Sequence, residues 1–287
     1  MMFTLGQIES EQLQKAYSKE NIKVKKYGNS NRCYIFFSSH ALYYPNTQEV
    51  FQKVIMEDDR YEWEHLAESP ELVAISGMHI FVRDVYKQWY VDGINNQLNT
   101  LDKVMDYLQE ITKDYEIIIV GNSAGGYMAA IAAWKLNAVT CYNFAGQISL
   151  LDRIEKNELL KNAEEDITKN KYFNIVNLFC DTNCKFYYFY AKKNLEDCSS
   201  YKLIADNENV KGFGFRQKVH GVTMFTDNMI PIICYQEEKM DKLACIYNNK
   251  TINRWEFLIR TISIKRVFYI GVKYLKKTCF CLGWQNK

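Results

Sequence analysis

Short apolar runs alternate with longer amphipathic segments along most of this chain. Runs of the kind typical of buried strands occur at 34–37, 72–75, 117–120, 138–144, 186–190 and 210–215. In segment 98–111 the apolar residues instead recur every three or four positions, which predicts an amphipathic helix. A second helical stretch is expected around 199–205. Strands that alternate with helices predict a mostly parallel sheet with helices on both faces.

Two segments depart from this alternation. Residues 149–182 are rich in charged, helix-forming residues and contain no strong strand, so we interpret them as an inserted helical cap. Residues 231–287 are predicted to form a basic amphipathic C-terminal extension, in which Trp255, Leu258, Ile259 and Ile262 have helical spacing. The predicted organisation is therefore a catalytic domain over 1–230, with the cap inside it, followed by the extension.

The composition narrows the class of protein. The 287 residues are 48% hydrophobic and 24% charged, as expected for a packed soluble domain. Segment 1–20 is polar and does not resemble a signal peptide, and no apolar run has the length needed to cross a bilayer. Nine cysteines form no disulfide framework, and neither Cys180-x3-Cys184 nor Cys279-x-Cys281 has familiar zinc spacing. We expect a cytoplasmic protein with reduced thiols and no metal site.

The charge is unevenly distributed. Residues 250–287 contain nine Lys or Arg and one acid, whereas the chain as a whole has a net charge of only +2. A basic amphipathic segment can lie on an anionic membrane surface or bind a polyanion, which would place the protein at the inner membrane face. The alternative is a terminal helix that docks on the sheet with its charges in water. No segment resembles a base-reading module, so nucleic acid is not expected as a partner.

The strongest candidate for chemistry lies directly after the apolar run at 117–120. There Gly121-Asn122-Ser123-Ala124-Gly125 has the form Gly-x-Ser-x-Gly, and an Ala-rich helix follows. In a strand–turn–helix context this pattern holds a serine in a strained turn with its hydroxyl exposed at the end of the sheet. We predict Ser123 as the nucleophile; the alternative is a turn in which Ser123 only caps the helix.

A serine nucleophile requires a base and a group that orients the base. Of four histidines only His220 follows Ser123, and it comes just after the last predicted strand, which fits the order Ser–acid–His. Asp197, after the run at 186–190, is the preferred acid, with Glu196 in reserve and Asp206 a weaker candidate. Each of these carboxylates could instead be solvated or cap a helix.

A tetrahedral intermediate also needs preorganised donors for its negative oxygen. The backbone N–H of Ala124, the residue after the nucleophile, is one expected donor. The loop after the first predicted strand should supply the other, from Ser38 or Ser39, although these hydroxyls could simply close a turn. The neighbouring His40 is a candidate for substrate binding or for a structural role.

With these residues the chain resembles the α/β-hydrolase superfamily. Within it the chain is similar to bacterial capsule and surface-glycan O-acetyltransferases, including that of meningococcal serogroup A, and to the glycan-acetylating component of the accessory Sec system. The similarity runs from about residue 34 to 220, and its motifs are Phe36-Phe37-Ser38-Ser39, the Gly-x-Ser-x-Gly turn, 143–147, and Asp197 with His220; segment 89–93 is similar to a Trp-Tyr element of some members. Gly146 stands where relatives tend to have proline.

The resemblance implies a fold and an activity. The fold would be the α/β-hydrolase fold, with a mostly parallel sheet, helices on both faces and a helical cap. The activity would be acyl transfer to sugar hydroxyls of a surface glycan, with acetyl-CoA as the donor and no bound cofactor, and with His40, Asn122 and Gln147 contacting substrate. The residues alone imply only serine-dependent acyl chemistry, because fold does not determine substrate. The alternatives are an esterase or deacetylase, and a non-catalytic scaffold that binds a glycan or a membrane.

Overall fold

The computed structural model describes residues 8–262 together with residues 267, 268, 270 and 272. These residues contain one seven-stranded sheet, whose strands are β1 Ile22–Lys26, β2 Arg32–Phe37, β3 Met78–Val82, β4 Glu116–Asn122, β5 Thr140–Phe144, β6 Lys185–Ala191 and β7 Val210–Phe215. Their spatial order is β1-β3-β2-β4-β5-β6-β7. Strand β1 runs antiparallel to β3, and the other pairs are parallel. This is the α/β-hydrolase arrangement, which confirms the predicted fold class.

Helices cover both faces of the sheet. The described helices are α1 Ser10–Tyr17, α2 Gln48–Phe51, α3 Glu64–Ala67, α4 Pro70–Val73, α5 Leu101–Thr112, α6 Ala124–Lys135, α7 Glu158–Asn162, α8 Ile167–Asn170, α9 Leu195–Lys202, α10 Thr226–Ile233, α11 Glu237–Tyr247 and α12 Arg254–Thr261. A π-helical turn at Gln52–Glu57 extends α2, and 3₁₀ turns occupy Leu151–Lys156 and Val176–Asp181. Segment 149–182 is therefore built of short helical turns, and its role as a cap stays a prediction.

Two apolar clusters lie on opposite sides of the sheet. One contains the inward faces of α5 and α6 together with residues of segment 149–182 such as Leu160 and Phe173. The other contains side chains of α10, α11 and α12, including Met229, Leu243 and Phe257. Because burial of apolar area is the main favourable term in folding, both clusters stabilise the strands between them. The central strands consequently have almost no exposed side chain.

The C-terminal extension begins within this packed body. The predicted boundary at residue 230 falls inside α10, and Phe215 of β7 forms a parallel bridge with Ile252. In α12 the side chain of Leu258 is buried, whereas Trp255 and Ile259 are exposed. Residues 273–287, which carry much of the basic tail, lie outside the described residues. No helix in the described part of the chain is both long enough and apolar enough to span a membrane.

The strand predicted at 72–75 is wrong, because this run lies in and just after helix α4. Pro70 occupies the first helical turn, where its missing N–H costs nothing. The Ser69 side chain accepts a hydrogen bond from the backbone N–H of Leu72 and so caps the helix. The strand follows as β3, which the apolar pattern did not indicate. Strand β1, whose sequence is Ile-Lys-Val-Lys-Lys, was also not predicted.

Gly121 provides a prediction about stability. A Cβ at this position would lie 2.2 Å from the Gly125 carbonyl oxygen, where β4 and α6 nearly touch. We expect Gly121→Ala to lower the free energy of unfolding by about 3 kcal/mol, because backbone rather than a flexible side chain must move. Gly28→Ala is the control, since Gly28 has φ +71° but open space around it, and strain alone should cost only about 1 kcal/mol. Urea unfolding followed by circular dichroism measures both, and equal losses would contradict the steric explanation.

Candidate active site

The turn between β4 and α6 holds Ser123 in a strained conformation. Its φ of 52° and ψ of −118° are rare for a residue with a side chain. The turn is as tight as the sequence predicts, since a Cβ on Gly125 would lie 2.2 Å from the Phe37 carbonyl oxygen at the end of β2. The Ser123 N–H donates to the Phe144 carbonyl at 2.8 Å, which ties the turn to β5. No side-chain cap bond of Ser123 to α6 is formed, so the capping alternative is not what the structure shows.

Three predicted residues meet at the carboxyl ends of the strands. The Ser123 hydroxyl lies 2.7 Å from His220 Nε2, and His220 Nδ1 lies 2.5 Å from Asp197 Oδ1. Asp197 is buried in the first turn of α9, just after β6, whereas the His220 side chain is 31% exposed. Ser123 and His220, which are 97 positions apart in the sequence, thus belong to one continuous series of hydrogen bonds.

The surroundings of Asp197 define the protonation pattern. Its Oδ2 accepts the Ala191 N–H at 2.9 Å, which leaves Oδ1 directed at the imidazole. Because an ionised carboxylate only accepts hydrogen bonds, His220 Nδ1 carries the hydrogen and Nε2 presents a lone pair to the serine hydroxyl. Glu196, the reserve acid, pairs instead with Arg153 at 3.1 Å, and Asp206 is exposed. Asp197 is therefore the acid that the structure places on the histidine.

The three expected oxyanion donors have different environments. Ala124 is the first residue of α6, so its N–H is one of the helix-terminal groups without a partner inside the helix. The Ser38 N–H donates to the Val82 carbonyl at 2.9 Å. Both the N–H and the hydroxyl of Ser39 donate to Glu62, the hydroxyl at 2.9 Å. The two serine N–H groups are thus engaged within the protein, and of the two hydroxyls that of Ser38 is the better placed to donate elsewhere.

Glu62 is a site residue that sequence reasoning missed. Its carboxylate accepts from Ser39, and its own N–H donates to Ser38 Oγ at 3.4 Å. Burial raises the pKa of Glu62, although the hydrogen bonds from Ser39 and Asn122 act in the opposite direction. The sequence offers only a weak signal for it, a single acid between Tyr61 and Trp63 that pack in the core.

The three predicted substrate contacts lie around this centre. The Gln147 side-chain nitrogen is 3.4 Å from His220 Nε2. His40 packs edge-on against Trp89 with ring centroids 4.5 Å apart, and burial together with the Lys87 and Arg153 charges lowers the pKa of His40 well below its usual range. Asn122, at the end of β4, is largely buried and reaches Glu62. Gln147 thus contacts the Ser123–His220–Asp197 network directly.

The loop after β3 forms a wall of the site. Asp84 accepts the backbone N–H groups of Tyr86, Gln88 and Tyr90 at 2.8 to 3.0 Å, and burial raises the pKa of Asp84 to about 6. Around this carboxylate the backbone takes positive φ at residues 87, 89 and 90. The loop presents the Trp89 indole, whose Nε1 donates to Gln147 Oε1 at 3.0 Å. The Arg153 guanidinium, from the 3₁₀ turn at Leu151–Lys156, lies 5.7 Å from the Trp89 ring centroid.

Within the described residues no group of three or more His, Cys, Asp or Glu side chains is arranged to hold a metal ion. Cys180 and Cys184 are free thiols, and Cys279 and Cys281 lie outside the described residues. The side chains that meet at the site present a hydroxyl, an imidazole, a carboxylate and amide donors.

The fold is also similar to those of several solved structures. The capsule O-acetyltransferase of Neisseria meningitidis serogroup A is 11% identical with a TM-score of 0.49, over 79% of this chain and 92% of that one. Esterase B of Lactobacillus rhamnosis is 10% identical with a TM-score of 0.43, over 84% and 90%. MenH of S. aureus is 11% identical with a TM-score of 0.41, over 80% and 98%. No protein-family model and no curated protein sequence matches the chain. The α/β-hydrolase fold of this chain is defined by its own strand order and by the turn at Ser123.

Proposed function

We propose that this protein is a serine-dependent acyltransferase in which Ser123, His220 and Asp197 act as a catalytic triad. The observation that carries the proposal is the continuous hydrogen-bond chain from the strained Ser123 to the buried Asp197. A nucleophile in contact with a base that a third group orients is the arrangement that serine acyl chemistry requires. The strained backbone at Ser123 is a further indication, since such strain concentrates at functional sites.

The proposed reaction has two halves. In the first, Ser123 Oγ attacks the acyl carbonyl carbon while its proton moves to His220 Nε2, and the leaving group departs with that proton. In the second, an acceptor hydroxyl gives its proton to His220 Nε2 and attacks the acyl carbon. The bond from Ser123 Oγ to the acyl carbon then breaks, and the proton returns to Oγ. Asp197 holds the imidazole in the tautomer that both halves need and stabilises its protonated form.

The negative oxygen of each tetrahedral intermediate would be bound by the Ala124 N–H, which extends from the first turn of α6. The positive end of the helix dipole lies at the same place and favours this charge. For the second donor we propose the Ser38 hydroxyl, because the Ser39 N–H and hydroxyl both donate to Glu62. Glu62 would then act by holding the loop in place.

For the substrates we propose an acetyl group, delivered by acetyl-CoA, and a hydroxyl of a bacterial surface glycan. The sequence resemblance to capsule and surface-glycan O-acetyltransferases supports this choice. A second candidate is hydrolysis of an acyl ester, which the partial exposure of His220 favours because water can reach the base. The basic tail would bring the protein to an anionic surface in either case.

Intact-mass spectrometry after brief exposure to acetyl-CoA tests the proposal. We expect the wild-type protein, but not Ser123→Ala, to gain one acetyl group. Adding a capsule-type oligosaccharide should discharge the acyl-enzyme with formation of acetylated glycan if the reaction is transfer; discharge at the same rate without it would indicate hydrolysis. p-Nitrophenyl acetate serves as a second acetyl donor, so that acylation of Ser123 can be detected even if the protein does not accept acetyl-CoA. Absence of acylation with both donors would overturn the proposal and favour a non-catalytic scaffold.

A further inference from the structure

Gln147 and Trp89 form a buried pair whose hydrogen bonding has only one orientation. Both side chains are nearly inaccessible to solvent, 4% and 5% exposed. The Trp89 indole nitrogen can only donate, so the Gln147 atom that faces it at 3.0 Å must be the carbonyl oxygen. The amide NH₂ of Gln147 therefore faces the other way, towards His220.

Trp89 is itself held in place. The residues on either side of it, Gln88 and Tyr90, both donate their backbone N–H groups to Asp84 Oδ2, at 2.8 and 3.0 Å. Trp89 has φ +57°, a strained value that this clamp maintains. The indole also contacts the His40 ring edge-on, and the Arg153 guanidinium lies 5.7 Å from its ring centroid. The orientation of the Gln147 amide is thus determined by a rigid, preorganised loop.

The side-chain amide of Gln147 lies next to His220 Nε2, the atom that accepts and returns the proton in the proposed reaction. It lies 3.4 Å from His220 Nε2, which also accepts the Ser123 hydroxyl at the shorter distance of 2.7 Å. When Nε2 takes the serine proton, it changes from an acceptor to a donor, and it can no longer bond to the amide NH₂ of Gln147, which is also a donor. They can bond jointly only to a third atom that carries lone pairs. The proton on Nε2 is bound for such an atom, the oxygen of the leaving group or of the attacking hydroxyl.

On the basis of the proposed function, we infer that Gln147 is a catalytic residue that donates a hydrogen bond to the leaving or attacking oxygen at His220 Nε2. Trp89 is the positioning residue that keeps this amide turned the right way. The site would suit an oxygen leaving group or acceptor, such as an alcohol or a sugar hydroxyl, because sulfur accepts hydrogen bonds only weakly.

A series of acetyl esters with different leaving groups tests the inference. p-Nitrophenolate leaves as a stable anion, whereas an alkoxide must be protonated and hydrogen-bonded as it departs. We expect Gln147→Leu to acylate more slowly than the wild type with every ester, with the smallest loss for p-nitrophenyl acetate, a larger loss for phenyl acetate, and a loss of roughly tenfold to hundredfold for an alkyl acetate. The kcat/KM for each ester reports the acylation half-reaction.

Trp89→Phe separates orientation from packing. It keeps an aromatic ring next to His40 but removes the Nε1 donor, so the Gln147 amide is free to turn over. For Trp89→Phe we expect the loss in acylation rate to depend on the leaving group in the same direction as for Gln147→Leu, but less steeply. Trp134→Phe, at the half-buried C-terminal end of α6, is the control and should show no loss with any ester. Trp89→Phe also provides a test of the inference if Gln147→Leu fails to fold.

The outcomes are distinct. A loss that is equal across the ester series, or no loss, would overturn the role of Gln147 while wild-type acylation leaves the function of Ser123 intact. A wild-type protein that forms no acyl-enzyme with any ester would overturn the proposed function, and this inference with it.

Discussion

Replacing Ser123 or His220 with alanine is expected to lower acyl turnover by about 10⁴- to 10⁶-fold, since the two groups act as one unit. Without the Ser123 hydroxyl there is no atom to carry the acyl group, and without the imidazole nothing takes the proton from it at neutral pH. Combining the two substitutions should add little to either single loss, because each alone already disables the unit. Steady-state kinetics with p-nitrophenyl acetate or acetyl-CoA gives the turnover numbers, and a fluorophosphonate should label the wild-type serine.

Matched variants guard this prediction against general damage. Ser199→Ala removes an exposed serine of α9 and His65→Ala an exposed histidine of α3, and neither residue belongs to the site. Both should keep full turnover and full labelling. Turnover of Ser123→Ala within tenfold of the wild type would show that the hydroxyl is not the nucleophile.

The strands of this fold were largely predictable because most are buried on both faces. A parallel strand under two layers of helices reads as a continuous apolar run, as at 117–120 and 186–190. The run at 72–75 has the same appearance, but Ser69 and Pro70 are a helix-start signal that outweighs it. Strand β3 was hidden for the opposite reason. His79 interrupts its apolar pattern, and this buried ring bonds to Ser76 Oγ at 2.7 Å.

Chain order made the centre of the site predictable but not its walls. The Gly-x-Ser-x-Gly turn marks Ser123, and a single histidine lies downstream of it. Ser123 and His220 could therefore be predicted with few competing candidates. Trp89 and Gln147 are 58 positions apart, and Glu62 is 23 positions from Ser39. No local pattern links such residues, because their contacts arise only when the loops after β2, β3 and β5 converge at one edge of the sheet. The substrate contacts could therefore be predicted only from the family resemblance, and the orientation of the Gln147 amide is defined only by the three-dimensional structure.

Asp197→Asn is expected to lower turnover by about 10⁴-fold through the tautomer of His220. The Ala191 N–H donates to Asp197 Oδ2, so an asparagine would keep its carbonyl oxygen on that donor and turn its NH₂ towards His220. Nδ1 would then have to accept a hydrogen bond, the imidazole hydrogen would move to Nε2, and Nε2 could no longer take the Ser123 proton. The ¹⁵N chemical shifts of the imidazole distinguish the two tautomers, so the cause is measured separately from the rate.

Glu196→Gln is the control next to it in sequence. Glu196 is exposed and pairs with Arg153, so its loss should change turnover by no more than about threefold. If the two variants exchanged their effects, Glu196 would be the orienting acid in solution. If Asp197→Asn lost activity but kept the wild-type tautomer, the carboxylate would act through its charge on the imidazolium and not through orientation. We expect Asp197→Asn to lose turnover through a change of the His220 tautomer, because the Ala191 hydrogen bond leaves the asparagine amide only one way to face the ring.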